Sequence, residues 1–169
     1  SNLSLEAKTL KFNLPVLITS AGQSIEAQMV SFNFVQNKIP NKCIQMAENK
    51  DLDGIKTLIV VPGHSLKGLG SAGIDANMEL NRVKKLVLDA KNKGIDIICI
   101  HIGGAARRGP TSQPFIEAAL KYAKYCVVYA DGNKDNYFNK RCQTAKIPLT
   151  VIAKVADLSG VIKDMFAVK

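Results

Sequence analysis

The sequence contains no tryptophan, and aromatic residues make up only 6% of its 169 residues. Proteins that bind single-stranded nucleic acid stack the bases on exposed aromatic rings, so this composition disfavours that function. The net charge of +9 is the one feature that favours nucleic-acid binding. However, a charge surplus of this kind affects partners and solubility rather than fold. Nucleic acid is therefore not expected as a partner unless the folded chain presents a continuous basic stripe.

Metal-binding patterns are also missing from the sequence. The four cysteines, at positions 43, 99, 126 and 142, form no CxxC pair. No spacing between a cysteine and either of the two histidines matches a zinc site. Cys99 and Cys126 lie within apolar segments typical of strands, where buried and inert thiols are expected. We therefore expect neither a metal ion nor another cofactor.

The sequence has no run of 18 apolar residues, so membrane insertion is not expected. The first two residues, Ser1-Asn2, resemble the remnant of a cleaved expression tag, which leaves room for a natural leader upstream. We expect residues 1–11 to be this remnant and a flexible segment. Residues 12–169 are long enough for a single α/β domain with a full hydrophobic core.

Short β-branched segments alternate along the chain with longer segments of helical periodicity. The predicted strands are 16–19, 43–46, 56–61, 95–102, 126–130 and 149–153, and the predicted helices are 21–37, 75–93, one from 112, 135–145 and 157–166. Alternation with continuously apolar strands predicts a three-layer α/β/α fold around a mostly parallel sheet of five to six strands. We favour the flavodoxin-like strand order 2-1-3-4-5, with the sixth strand at the edge, over the Rossmann order 3-2-1-4-5-6.

The first predicted helix carries two local patterns. Ser20 followed by Gln23 three residues later is typical of a capping box. Ile25, Met29 and Phe32 share one face at helical spacing, which favours a helix in this segment. Capping alone would be a sufficient role for Ser20 and Gln23.

Glycines, small hydroxyl groups and basic side chains are concentrated in the segments that follow the first, third and fourth strands. In open α/β sheets, ligands bind at this carboxyl edge, where the strand order reverses. Glycine lets backbone amides form a concave nest for an anion, a helix N-terminus adds partial positive charge, and arginine can hold an oxyanion with two hydrogen bonds. The candidate ligand-binding residues are Ser20, Gly22, Gln23, Ser24, Gly63, His64, Ser65, Lys67, His101, Gly103, Gly104, Arg107 and Arg108.

Several nucleotide and catalytic motifs are absent or misplaced. The sequence 68–73 matches GxGxxG, but it begins six residues after the predicted third strand instead of directly after it, which disfavours dinucleotide binding. The segment 63–67 lacks the GK[ST] of a P-loop, and no GxSxG elbow is present. Carboxylates are scarce in the candidate loops, and this scarcity disfavours acid–base catalysis.

Four segments together resemble a family of uncharacterised bacterial proteins classed as a domain of unknown function. They are 14–24 (LPVLITSAGQS), 67–75 (KGLGSAGID), 101–109 (HIGGAARRG) and 132–135 (GNKD), and the resemblance extends over residues 12–166. The segment 35–46 departs from the pattern. The resemblance implies an exported protein with a leader ahead of the domain, although it supplies no activity.

We therefore favour a non-catalytic protein, exported rather than cytoplasmic, that binds a small carboxylate or phosphate at the carboxyl edge of the sheet. The alternative is an enzyme acting on a small anionic substrate, with His64 or His101 as the acid–base group. That alternative predicts a histidine nitrogen facing the same pocket as the arginines.

Overall fold

The computed structural model of the chain describes residues 10–166. Its six strands are β1 (Val16–Ala21), β2 (Lys42–Cys43), β3 (Thr57–Pro62), β4 (Asp96–His101), β5 (Tyr125–Tyr129) and β6 (Leu149–Ile152). All pair in parallel, in the order β2-β1-β3-β4-β5-β6. The flavodoxin-like order is thus confirmed, and the Rossmann order is wrong. The predicted flexible segment 1–11 lies largely outside the described residues.

Residues 10–166 form six α-helices, of which all but the second cover the two faces of the sheet, as the three-layer prediction requires. They are α1 (Glu26–Gln36), α2 (Leu66–Ala72), α3 (Ala76–Asn92), α4 (Gln113–Leu120), α5 (Tyr137–Ala145) and α6 (Leu158–Phe166). One core lies under α3, α4 and α5, and the other lies under α1 and α6. No helix among the described residues is both long and apolar enough to cross a membrane.

The central strand β3 shows why these segments are apolar without interruption. Leu58 and Val60 point into the core under α3–α5, whereas Ile59 and Val61 point into the core under α1 and α6. All four side chains are fully buried. Because helices cover both faces, these four positions are closed to water and carry apolar side chains.

The first helix begins five residues later than the periodicity predicts. β1 continues through Ala21, and the chain then turns through Gly22 and Gln23, which have positive φ angles of 113° and 66°. The N-cap position is Ile25, with no side-chain cap. The predicted capping box at Ser20 and Gln23 is therefore wrong, because Ser20 lies in β1 and Gln23 lies in the turn, both ahead of the N-cap residue.

The apolar face that Ile25, Met29 and Phe32 form is not the face that packs on the sheet. Ala27, Val30 and Phe34 are completely buried, whereas Ile25 and Phe32 remain 62% and 60% exposed. The helix is apolar around most of its circumference, so periodicity alone did not identify the face that packs on the sheet.

The predicted loop 62–74 contains the short helix α2. The Ser65 hydroxyl oxygen caps it by accepting a hydrogen bond from the Gly68 amide at 3.0 Å. The glycines of the GxGxxG sequence therefore lie in and just after a helix, not in a phosphate-binding turn. The next helix, α3, begins where predicted, with Asp75 accepting a hydrogen bond from the Met78 amide.

Other element boundaries shift by a few residues. β2 is limited to Lys42–Cys43, earlier than the predicted 43–46. The predicted loop 103–111 contains a 3-10 turn at Gly104–Arg107.

Two glycines in α2 allow a matched test of its packing. A β-carbon at Gly68 would lie 1.9 Å from the Gln23 carbonyl oxygen, whereas one at Gly70 would meet nothing within 4 Å. We expect Gly68→Ala to destabilise the protein by about 2 kcal/mol through overpacking. Gly70→Ala should stabilise it by about 0.5–1 kcal/mol through helix propensity. Urea unfolding measures both, and equal effects of the two variants would contradict this packing of α2 on the β1 loop.

Candidate functional site

The loops after β1 and β3 flank the point where the strand order reverses, and they pack directly against each other. The Gly63 amide donates to the Ala21 carbonyl and the Ser65 amide to the Gly22 carbonyl, both at 2.9 Å. Gln23 and His64 form an antiparallel bridge between the same loops. The structure thus brings these predicted residues together, but backbone contacts fill much of the crevice between them.

Gly22 is required for this close approach. A β-carbon there would lie 2.3 Å from the Gly63 carbonyl oxygen, and its φ of 113° is one that other residues rarely adopt. The sequence predicts a glycine that lets backbone approach a ligand. In the structure it lets one loop of the protein approach another.

A buried carboxylate from α3 occupies the nest at the end of β1. Glu79 Oε2 accepts hydrogen bonds from the Gly22 amide at 3.0 Å and from Gln23 Nε2 at 2.8 Å. Arg82 donates to the same carboxylate from Nε at 2.7 Å and from Nη2 at 2.9 Å. Glu79 is fully buried. An internal anion therefore occupies the position at which sequence analysis predicts a ligand.

Arg82 extends this network to the surrounding backbone. Its guanidinium donates to the carbonyl oxygens of Ser20 and Ala47, the latter at 2.8 Å. Sequence analysis missed both members of the pair, because a glutamate and an arginine three residues apart on a helix are typical of an exposed ion pair. The one local signal was that Glu79 lies among apolar positions of α3, beside the completely buried Val83.

The environment of Glu79 keeps it ionised. Burial by itself would raise the pKa of this carboxyl group, but the hydrogen bonds and charge of Arg82, together with the hydrogen bonds from Gln23 and Gly22, lower it below 4.5. The carboxylate therefore stabilises the fold at neutral pH.

Arg107 connects three loops at the carboxyl edge. It lies in the 3-10 turn after β4, donates from Nε to Glu26 Oε1 at 2.6 Å, and donates from Nη1 to the His64 carbonyl at 3.0 Å. Two polar atoms nearby are buried without a hydrogen bond among the described residues, namely Ser24 Oγ and Glu26 Oε2. Arg107 is thus the predicted cation that comes nearest to the start of α1.

Arg108 is held by a different set of partners. It makes two hydrogen bonds to the Asp135 carboxylate, at 3.0 and 2.9 Å, and one to the Gly132 carbonyl at 2.7 Å. Its guanidinium also lies 5.1 Å from the centre of the Tyr137 ring. The hydrogen bonds from Arg108 hold the pKa of Asp135 at about 2. Arg108 therefore joins the loops after β4 and β5 and is less available to a ligand.

The two histidines occupy different environments. His101 is fully buried, packs against Phe138 and has its Nε2 2.9 Å from the Arg107 carbonyl oxygen. Burial lowers its pKa, and the Arg108 charge lowers it further, so the ring is neutral at pH 7. His64 is half-buried, with its ring centroid 6.3 Å from that of Phe115.

The remaining predicted site residues have mainly local contacts. Ser20 Oγ donates to the Ser24 carbonyl at 3.4 Å, and Lys67 is exposed on α2. A β-carbon at Gly103 would lie 2.3 Å from Glu26 Oε1, while Gly104 lies beside Asp131. Together these contacts place the loops after β1, β3 and β4 in one cluster, as predicted.

A cavity of about 330 Å³ opens beside Arg107. Its walls combine the Arg107 side chain and Glu26 with apolar groups, and its lining residues are Ile25, Glu26, Met29, Ile102, Gly103, Ala106 and Arg107. We call this the Arg107 cavity. Across residues 10–166, no group of three or more histidine, cysteine, aspartate or glutamate side chains is arranged to hold a metal ion.

Comparison with known families agrees with the motifs. A family profile described as a domain of unknown function, DUF6305, matches residues 13–166. The chain belongs to the DUF6305 family. The sequence-based resemblance to a domain of unknown function is thus confirmed at the level of the family. A search of curated proteins found no match for this DUF6305 chain.

Among solved structures, the DUF6305 chain is similar to a GDSL-like lipase from Bacteroides thetaiotaomicron. The two share 10% sequence identity, and the match covers 89% of this chain and 76% of that chain, with a TM-score of 0.34. This similarity is too low to support an argument about activity.

The buried Glu79 network predicts a specific pH dependence. Because its pKa lies below 4.5 in the folded state, Glu79 contributes stability above that pH, and the contribution is lost as the pH falls through the folded pKa. We expect Glu79→Gln to destabilise the protein by about 3 kcal/mol at neutral pH, since it leaves the nearly buried Arg82 charge unpaired. The difference from wild type should narrow as the pH falls below 4.5 and through the folded-state pKa of Glu79.

Asp53→Asn provides the matched control for this measurement. It makes the same charge change at a side chain that is 83% exposed and lies 3.9 Å from Lys93. Urea unfolding across the pH range should show an effect of less than about 0.5 kcal/mol for this variant. A Glu79→Gln variant no less stable than Asp53→Asn would contradict the role assigned to the network.

Proposed function

We propose that this protein binds a small anionic molecule at the carboxyl edge of its sheet, in the Arg107 cavity. The proposal rests on which nitrogens of the Arg107 guanidinium already make hydrogen bonds. Its Nε contacts Glu26 and its Nη1 contacts the His64 carbonyl, whereas Nη2 makes no hydrogen bond within residues 10–166. An arginine can hold one carboxylate along its side while its outer edge binds another.

The start of α1 adds further donors to the same place. Ile25 and Glu26 line the cavity, and this end of α1 has no side-chain cap. A helix N-terminus presents unpaired amides and partial positive charge, both of which favour an anion. Next to this helix N-terminus, the buried Ser24 hydroxyl has no hydrogen-bond partner among the described residues, but Ser24 does not line the cavity.

The walls of the cavity favour one chemical class of anion. Glu26 already offsets the single positive charge of Arg107. A singly charged anion is therefore less strongly repelled by Glu26 than a phosphate dianion and fits the cavity better. Ile25, Met29 and Ile102 form an apolar wall that would contact the rest of the ligand. We therefore propose a carboxylate with a short apolar body in preference to a phosphate.

Binding is better supported than catalysis. The enzyme hypothesis needs a histidine that faces the pocket of the arginines, and His101 is fully buried with Nε2 against a carbonyl oxygen. His64 does not line the Arg107 cavity. Neither histidine has the position that acid–base chemistry in this cavity would require.

Location outside the cytoplasm belongs to the proposal as well, and it rests on the resemblance of the motifs to exported proteins. Fractionation of bacteria that express the natural gene would test it. Recovery of the protein with extracytoplasmic markers is expected, and recovery with cytoplasmic markers alone would contradict it.

Titration calorimetry tests the binding proposal directly. On protein stripped of carried-over ligand, butyrate or valerate should bind more tightly than inorganic phosphate. Arg107→Gln should weaken carboxylate binding at least about tenfold, since it removes a charge-assisted hydrogen bond. Arg141→Gln is the matched control, because Arg141 is paired with Glu117 at 3.1 Å and does not line the Arg107 cavity.

A double variant distinguishes loss of binding from loss of folding. Removing Arg107 alone leaves Glu26 buried without its cation, so the double variant Glu26→Gln/Arg107→Gln removes both charges. It should remain folded by circular dichroism and still fail to bind. Wild-type protein that is indifferent to every carboxylate and phosphate tested, or an Arg107→Gln variant that binds like wild type, would overturn the proposal.

A further inference from the structure

Helix α1 leaves a row of large apolar side chains in solvent. Ile25 is 62% exposed, Met29 40%, Phe32 60% and Val35 61%. Their spacing of four, three and three residues places them along one face of the helix, and we call this row the α1 stripe. Single exposed apolar residues are ordinary on protein surfaces, but a contiguous row of four is typical of an interaction site.

The α1 residues beside the stripe carry no charge, although the Arg107–Glu26 pair borders Ile25 and Met29 at one end and the exposed Lys38 follows the helix at the other. Gln28, Asn33 and Gln36 flank it, and the only charged residue of α1 is Glu26, which is buried. The other large helices present lysines to solvent, among them Lys84 on α3 and Lys163 on α6. The stripe is therefore a neutral surface on a chain whose net charge is +9.

We propose that the α1 stripe is the contact surface of a homodimer, in which the α1 helices of two copies pack antiparallel across a two-fold axis. Two chains of charge +9 repel each other, and this repulsion is weakest where the contact surface carries no charge. An acidic partner would instead be attracted to the lysine-bearing helices. Neutrality of the stripe thus favours a second copy of the same chain.

The shape of the stripe is compatible with self-association. In an antiparallel pair centred between Gln28 and Met29, Phe32 of each copy lies opposite Ile25 of the other copy. The two-fold axis makes these two contacts identical. A hollow of about 350 Å³ lies along this part of the helix, lined by Ile25, Gln28, Met29, Phe32 and Asn33. The protruding Phe32 ring of a second copy can pack into this hollow, as ridges pack into grooves between helices.

The dimer does not depend on ligand binding. Ile25 and Met29 line the Arg107 cavity as well as the hollow of the stripe, so a second copy would cover one side of that cavity. Failure of anion binding would leave the dimer intact, and a monomeric protein could still bind an anion. The two proposals are therefore tested separately, with the dimer measured in the absence of added carboxylate.

Sedimentation equilibrium over about 1 µM to about 1 mM protein tests the proposal, because an interface built on one helix is small and expected to be weak. Wild type should show a concentration-dependent mass approaching twice that of the chain. Phe32→Asp should remain monomeric throughout. Leu66→Asp is the matched control, since Leu66 is 78% exposed on α2 and lies outside the stripe, and it should dimerise like wild type.

Disulfide trapping tests the geometry. Under mild oxidation, a Gln28→Cys variant should form a covalent dimer because residue 28 lies beside the proposed two-fold axis. Lys163→Cys on α6, outside the stripe, should not. A monomeric wild type at every concentration would overturn the proposal, as would equal effects of Phe32→Asp and Leu66→Asp or equal trapping of the two cysteine variants.

Discussion

The buried Glu79 carboxylate is the interaction on which the carboxyl edge of the sheet depends. It accepts hydrogen bonds from the Gly22 amide, the Gln23 side chain and Arg82, and so compensates donors that would otherwise be buried without a partner. Arg82 in turn donates to the Ser20 carbonyl. Because unpaired buried polar groups are costly, this network stabilises the left-handed turn that ends β1 and determines where α1 begins.

The same principle governs the two arginines of the loop after β4. Arg107 is paired with Glu26, and Arg108 is paired with Asp135, so both arginines predicted to attract a ligand are first used to join loops of the protein. What remains for the proposed ligand is Nη2 of Arg107, together with the start of α1. A site of this kind is rigid before binding, which reduces the conformational entropy that a ligand must overcome.

Helix α1 connects the two proposals. Its N-terminus borders the Arg107 cavity, and its outer face carries the exposed apolar stripe. The helix is held on the sheet by Val30 and Phe34, the latter in edge contact with Phe166 of α6. A firmly packed inner face can carry an apolar outer face without risk to the fold, because the inner contacts already determine how the helix lies.

The sequence by itself determined the parallel sheet, since continuous apolar runs and regular alternation are local patterns. It favoured the observed strand order and the clustering of three loops at one edge, but only the structure decided between that order and the Rossmann order. Only the tertiary structure decided which face of α1 is buried, because a helix apolar on both sides has no local signal for the side that packs. It also decided what fills the nest after β1. Glu79 lies 57 residues from Gly22, and local spacing does not reveal a partner that the fold brings from so far along the chain.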